Sequence, residues 1–559
     1  MENCYVTNIE KRCPSCEILV PKTADIEDPY HYRPVTLVPD LMKPVERIIF
    51  SHLRWDSYHE EDYFEKGEYI IREGEEGNTF FIISKGEVIV TQSTEASAEP
   101  QEIKTLGVGD YFDRPPQSNP RPHPPGVKPR LSITADQVRK ELRRTKTRKA
   151  TGPDGINSRL LKDCADQLCG VLLHIFNLSL SLERVPLLWK TSCVVLVPKT
   201  AHTREPNHFR PVALTSHLMK TMERIVLTHL RQLVDSKMDP LQFAYRPGIG
   251  VDDAVIYLLH RSLSHLESTG STVRAMFFDF SSAFNTIQPS LLRGKMEGAG
   301  VNCHLAAWTT DYLTNRLQYV TVPPRTHSRG DCESEVVVCS TGAPQGTVLS
   351  PFLFTLYTSD FSHNSDSCHL QKFSNDTAIV GRVSEGNELE YREVITNFVA
   401  WCELNHLRIN TSKTKEVVID FSRKAPHIAL VNIQGLDIEI VEEYKYLGIL
   451  LPRRLVQEGP KPSPSAGSSE RYRKRLNKLV RRAGSLLDCS LDSIEEVGER
   501  RMLAKLTSIM DTPSHPLHET VGALSSSFSS RLLHPRCKKE QYRRSFIPTA
   551  VRLHNIHNS

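Results

Sequence analysis

Three observations predict an α+β chain made of several domains. Residues 372–381, KFSNDTAIVG, read as strand, tight turn, strand. Lys372 and Phe373 lead in, Ser374, Asn375 and Asp376 turn, and Thr377 to Val380 lead out. Polar turn residues between apolar β-formers mark a hairpin whose tip holds side chains out of the sheet. Met276 to Phe278 predict a buried strand that ends in Asp279. Around these strands lie helical stretches: a basic amphipathic one from 131, an apolar one near 170–183, and one opened by a Gly/Pro loop at 340–357.

The 559 residues suffice for roughly two to four domains. Hydrophobic residues at 39% and charged residues at 24% suit a globular protein with long polar joins. A net charge of +4 is too small to establish a nucleic-acid partner. Its distribution says more, because basic clusters recur near 138–149, 471–482 and 536–544. No run of about 18 apolar residues exists, so no membrane span is expected. The N-terminal MENCYVTNIEKRC lacks a signal-peptide core. Thirteen scattered cysteines imply reduced thiols and an intracellular setting, cytoplasmic or nuclear. No protein partner is deducible.

In chain order, residues 1–54 hold an internal repeat. The stretch 16–54 matches 193–231 without a gap, about half of its positions being identical. Each copy reads as strand, polar loop and amphipathic helix, but only the second continues into a long compatible sequence. The first is therefore a stranded duplicate. The lone CPSC at 13–16 carries no zinc assignment. Residues 55–114 alternate apolar and polar positions, punctuated by Gly67, Gly74, Gly77 and Gly86, and predict a small antiparallel β-roll.

GEYIIREGEEGNTFFIISKGEV and TLGVGDYF in this region resemble a cyclic-nucleotide-binding domain of the cGMP-dependent protein kinase type. The resemblance implies a following phosphate cassette, FGE-x-A-L and then Arg. The chain instead reads YFDRPPQSNPRPHPPG, where prolines exclude the cassette helix and Arg114 has no backbone N–H cradle. Little or no cGMP binding is expected. Residues 115–130 are a Pro-rich linker.

Residues 131–450 carry KATGPDG, LVPK with FRPVALT, DPLQFAYRPG, FFDFSSAF, TGAPQGTVLSPFLF, KFSNDTAIVG, LRINTSKTKEVVIDF and YKYLGI, in that order. Together they resemble the reverse transcriptase of a non-LTR (LINE-type) retrotransposon. The resemblance implies the fingers and palm of a right-hand polymerase. It also implies two-metal nucleotidyl transfer with Mg²⁺ or Mn²⁺, and an RNA template, a DNA primer and deoxynucleoside triphosphates as partners. Asp279 and Asp376 would ligate metal, with Asn375 at the catalytic turn. Phe284 would exclude a 2′-hydroxyl, and Gln345 and Gly346 would contact the incoming nucleotide. Lys199 and Arg210 would clamp its triphosphate. Lys413 or Lys415 would protonate pyrophosphate. Tyr444 to Gly448 would grip the primer.

Two departures from the family pattern predict impaired or lost activity. The family's F-A-D-D or F-S-D-D begins its acidic pair where this chain has Asn375. Alternation is expected to turn the surviving Asp376 to the other side of the hairpin. After YKYLGILL, a Pro/Ser/Gly linker at 451–470 and a basic remnant at 471–559 stand where a helical thumb is expected, so the thumb is largely missing. A zinc site at His515, His518, His534 and Cys537 is a weak candidate. No endonuclease-like segment precedes the polymerase region, so self-contained retrotransposition is not expected. The reading is thus a chimera with a degenerate polymerase. The alternatives are a non-catalytic nucleic-acid-binding relic and a cyclic-nucleotide-responsive regulatory protein.

Overall fold

In a computed structural model the chain divides into two units. One is 1–193 with 214–219, the other 194–213 with 220–559. The structure describes residues 131–199, 208–322, 332–420, 429–452, 492–527 and 529–558, together with short backbone strands before 114. The readings of CPSC, of the prolines after 114 and of the basic helix at 471–482 lie outside the described residues. The architecture is mixed α/β, and its sheets are antiparallel in every register described.

The first unit contains β1 (Asn3–Thr7), β2 (Glu17–Pro21), β3 (Tyr32–Thr36), β4 (Phe80–Ile82), β5 (Val88–Ser93), β6 (Gln101–Leu106) and β7 (Tyr111–Asp113). β1, β5 and β6 form one sheet, and β4 pairs with β7. The duplicated stretch makes the β2–β3 hairpin. The second copy forms strands at the corresponding positions, β8 (Ser192–Pro198) and β9 (Phe209–Leu214).

Helix α1 (Ala135–Arg143) starts at a reciprocal cap. Gln137 N–H donates to Thr134 Oγ1, and Thr134 N–H donates to Gln137 Oε1 at 2.9 Å. Its buried Val138 and Leu142 lie on the apolar stripe that the sequence shows. Helices α2 (Ser158–Asp163), α3 (Ala165–Ser181) and α4 (Leu187–Lys190) follow, and Trp189 meets Phe176 edge-on at 5.6 Å. In the KATGPDG turn, a Cβ on Gly152 would lie 2.6 Å from Ser216 N, so only glycine permits this backbone approach.

The second unit is organised on β10 (Ser271–Phe278). Further strands are β11 (Arg316–Val322), β12 (Cys332–Glu333), β13 (Val337–Cys339), β14 (Cys368–Phe373), β15 (Asp376–Ser384) and β16 (Lys415–Asp420). β17 (Asn432–Ile433) pairs with β18 (Leu436–Asp437), and β19 (Glu443–Tyr446) with β20 (Ile449–Pro452). One sheet runs β14-β15-β10-β16, and another β12-β11-β8-β9 with β13 on β11. The helices are α5 (His217–Val234), α6 (Val251–His265), α7 (Pro289–Gly298), α8 (Cys303–Leu313), α9 (Leu349–Tyr357) and α10 (Leu389–Leu404).

The sheet on β10 is buried on both faces, which is why its strands read as continuous apolar runs. On one face Val255, Leu258 and Leu259 of α6 pack against Val273, Ala275, Phe277, Ala378 and Val380. On the other face Phe398 of α10 meets Phe278 at 4.8 Å. Gly381 makes room there for Tyr391, whose Cδ2 lies 2.6 Å from where a Cβ would be. Buried Arg274 forks onto Glu416 at 2.7 and 2.8 Å, and Tyr391 donates to the same carboxylate at 2.7 Å. The pairing satisfies charges that would otherwise be costly to bury.

Within the C-terminal region, the described residues 492–527 and 529–558 form packed helices. Helices α11 (Ile494–Asp511) and α12 (His518–Gly522) are followed by α13 (Glu540–Arg543), whose Tyr542 joins the core on β10, and by α14 (Phe546–His557). Of these, α11, α12 and α14 supply Leu506, Ile509, Val521, Ile547 and Val551 to a core shared with Phe243, Ala254 and Tyr257. The zinc candidate is not assembled. His515 has Nε2 on Asp253 and Nδ1 on the Leu517 N–H, and His518 is on the Ile509 carbonyl. Among the described residues no group of three or more His, Cys, Asp or Glu is placed to hold a metal. Among them, too, no helix is long and apolar enough to cross a membrane.

Candidate active site

β10 delivers Asp279 to the end of the sheet. Its backbone is held there: its carbonyl accepts from Asn410 N–H at 2.8 Å, and its N–H donates to Thr414 Oγ1 at 3.3 Å. Phe373 pairs with Asp376, so the hairpin turn is the two residues Ser374 and Asn375, and Asp376 already belongs to β15. Ser374 takes φ 59, the positive value that such tight hairpin turns require.

This register corrects one expectation. Phe277 pairs with Ala378 and Phe278 with Thr377, which makes Asp279 and Asp376 the next opposite positions. Opposite residues of an antiparallel pair share a face. Asp376 therefore stands on the face of Asp279 rather than turning away. Asn375 sits in the turn beyond the last ladder pair, among the residues that line a small cavity with Phe280, Phe354, Lys372, Phe398 and Trp401.

The electrostatics agree with this placement. Burial pushes the half-buried Asp279 carboxyl above its ordinary value, while the charges of Lys413 and Lys199 pull it back. Asp376 keeps access to solvent, yet burial of its carboxyl on the protein side and then the Asp279 charge push it up as well. Burial, then the charges of Asp376 and Asp279, also raise the Tyr444 hydroxyl. Tyr444 stacks on Phe277 with ring centroids 4.4 Å apart. The two carboxylates, Lys413, Lys199 and Tyr444 thus share one field.

The remaining candidates fall into four groups. Phe284 lies in a short 3₁₀ turn, stacks on Phe354 at 4.8 Å, and accepts through its carbonyl from Ala343 N–H at 2.8 Å. That bond ties it to the loop of Gln345 and Gly346. Gln345 accepts from Ala213 N–H of β9 at 2.7 Å, and Gly346 has φ 109 with Ala213 O only 2.8 Å from a Cβ position. Arg210 is exposed on β9, and no hydrogen bond or ion pair among the described residues joins it to the acids. Lys415 is held by Glu439 at 2.8 Å, whereas the Lys413 charge reaches Asp279. Leu447 and Gly448, with φ 48 and 89, close the β19–β20 hairpin.

Glu223 escaped the sequence reading. It is fully buried, and its carboxylate accepts from Val348 N–H at 2.5 Å, Leu349 N–H at 3.2 Å and Tyr312 O–H at 3.0 Å. It thereby closes the N-terminus of α9, directly after the Gln345–Gly346 loop. The signal was available: 223 falls on the stripe of buried Met219, Val226 and Leu230 in α5.

Residues 197–451 match the family model for reverse transcriptase (RNA-dependent DNA polymerase), and residues 61–127 that for the cyclic nucleotide-binding domain. The chain thus contains a region similar to reverse transcriptases, with those of non-LTR retrotransposons among its relatives, and a segment similar to cyclic nucleotide-binding domains. It is 26% identical over 340 residues to the RNA-directed DNA polymerase from mobile element jockey of Drosophila melanogaster, across 58% of this chain and 36% of that protein. A stretch of 53 residues is 66% identical to cGMP-dependent protein kinase 2 of Homo sapiens, across 10% of this chain and 7% of the kinase. The chain spans about a third of the length of the curated polymerases that it matches. Apo telomerase from Candida tropicalis, truncated from its C-terminal domain, is similar at a TM-score of 0.31 and 11% identity, over 47% of this chain and 53% of that one.

Proposed function

We propose that residues 131–450 form the fingers and palm of an RNA-directed DNA polymerase that extends a DNA primer on an RNA template. The observation that carries this reading is the pair Asp279 and Asp376, opposite one another on one face at the end of an antiparallel sheet. Two carboxylates fit Mg²⁺ or Mn²⁺, because such an ion binds through one or two protein carboxylates and takes its other oxygens from water and substrate phosphates. Bound there, it would supply the charge that activates a 3′-hydroxyl and steadies a triphosphate.

The chain's own residues supply the rest. Lys199 and Arg210 hold the triphosphate, and Lys413, whose charge already reaches Asp279, protonates the departing pyrophosphate. Phe284, braced by Phe354, walls off a 2′-hydroxyl. Tyr444 to Gly448 support the primer end. Asn375 supplies no charge at the turn, so the rate is reduced by roughly 10²-fold or more.

Primer extension on an RNA template with Mg²⁺ or Mn²⁺ tests the reading. Slow extension by the wild type and faster extension by Asn375→Asp are expected, with none by Asp279→Asn. Absence of synthesis by both the wild type and Asn375→Asp overturns it. Salt-dependent RNA binding without synthesis would favour a non-catalytic nucleic-acid-binding role instead.

A further inference from the structure

The hairpin that carries Asp376 is held from outside by the segment 239–245. Lys372 N–H donates to the Leu241 carbonyl at 2.9 Å, and Phe243 N–H to the Lys372 carbonyl at 2.8 Å, so the segment runs along β14 as a short parallel neighbour. Buried beneath it, Lys372 Nζ bonds Asp239 Oδ2 at 2.7 Å. The Gln242 side chain, 2% exposed, reaches past this pairing to the turn. Its Oε1 accepts from Ser374 N–H at 2.9 Å, and its Nε2 donates to the Ser374 carbonyl at 3.3 Å. Tyr245 O–H lies 3.0 Å from Ser374 Oγ.

Ser374 is the residue at φ 59, a conformation disfavoured for an L-residue with a Cβ. A two-residue hairpin turn gives its first residue no ladder partner for N–H or C=O. Here a single carboxamide satisfies both groups, as a facing strand would. We infer that Gln242 is a positioning residue for the acidic pair: by bonding both backbone polar groups of Ser374, it fixes the turn that sets Asp376 opposite Asp279. This inference rests on the polymerase reading for its purpose, but its geometry stands without it. Slippage of the turn by one residue would exchange the faces of positions 375 and 376, leaving Asp279 opposite an amide.

The full-length chain with Gln242→Leu tests it, read by hydrogen exchange of the peptide 372–377, by Mn²⁺ titration and by melting. The expected result is exchange at Ser374 faster by about 10-fold, as for a lost buried hydrogen bond. The Mn²⁺ dissociation constant rises about 10-fold, as for a lost supporting contact behind a metal ligand. Exchange in β10 and β16 stays as in the wild type. Gln242→Glu keeps the acceptor for Ser374 N–H and retains most of the Ser374 protection, which separates positioning from loss of fold if Gln242→Leu melts early. In the Asn375→Asp background, Gln242→Leu lowers kcat while KM for primer–template stays put. Unchanged exchange at Ser374 and unchanged Mn²⁺ affinity overturn the inference. If no chain extends a primer, the polymerase reading falls, and the exchange at Ser374 still decides the role of Gln242.

Discussion

His515 Nε2 lies 2.9 Å from Asp253 Oδ1, joining two buried side chains 262 residues apart in sequence. Lys505 Nζ and Gly250 N–H also bond this carboxylate, each at 2.8 Å. Burial alone would raise Asp253, but its three hydrogen bonds hold it below its ordinary value of 3.8. A depressed acid stabilises the fold above its unfolded pKa, and that stability is lost as pH falls through the folded one. Melting temperature should therefore decline as pH drops below about 3.8, and Asp253→Asn should flatten that decline. At neutral pH, Asp253→Ala should cost about 3–5 kcal/mol in denaturant unfolding, since it strands His515 and Lys505.

Glu223 titrates in the opposite sense. Burial, the largest influence, raises its carboxyl above the ordinary value, and the N–H groups of α9 only partly offset it. Its favourable contribution is full below about 4.5, the ordinary value, and is lost as pH rises through the raised one. Glu223→Gln keeps an acceptor for α9 and should remove that pH dependence in unfolding measured from pH 4 to 8. Glu223→Ala strands two N–H groups and should cost about 2–3 kcal/mol.

Asp279 and Asp376 should compete with protons for a cation. Both carboxyls are raised, so Mn²⁺ affinity measured by calorimetry should climb with pH beyond the point where ordinary carboxylates are already saturated. Asp279→Asn should lower the Asp376 pKa by removing a like charge. It should also weaken Mn²⁺ at least about 10-fold.

On the proposed polymerase reading, Gly346→Ala should damage the nucleotide side of the site without touching an ionisable group. A Cβ there meets the Ala213 carbonyl at 2.8 Å, at a φ of 109. The loop or β9 has to shift. A loss of about 1–3 kcal/mol in stability and a raised KM for nucleotide are the expected readouts.

The sequence revealed the strands and not their register. Apolar β-formers on either side of Ser374 and Asn375 made the hairpin legible, and Asp279 was legible for the same reason, at the end of an apolar run. The faces of Asn375 and Asp376 depend on whether the turn holds two residues or three, and a shift of one inverts them. The C-terminal core was illegible because Leu506, Ile509 and Val551 find their partners on α6, some 250 residues earlier, among enough Arg and Lys to read as solvated. His515 looked like a metal ligand because its acidic partner is equally remote. The role of Glu223 was not legible from α5 alone, because the N–H groups that justify its burial belong to α9.

β10 has no partner close by in sequence. Its edges are closed by β15, roughly 100 residues later, and by β16, roughly 140 residues later. Each pairing must close a long loop, which slows its formation. During synthesis, Ser271–Phe278 leaves the ribosome as an apolar strand with both edges open; one can close once Ser384 has emerged, and the other only after Asp420. For that interval the segment that will present Asp279 is an adhesive stretch of the nascent chain, and a transcript cut short before Asp420 would yield an aggregating product rather than a smaller domain.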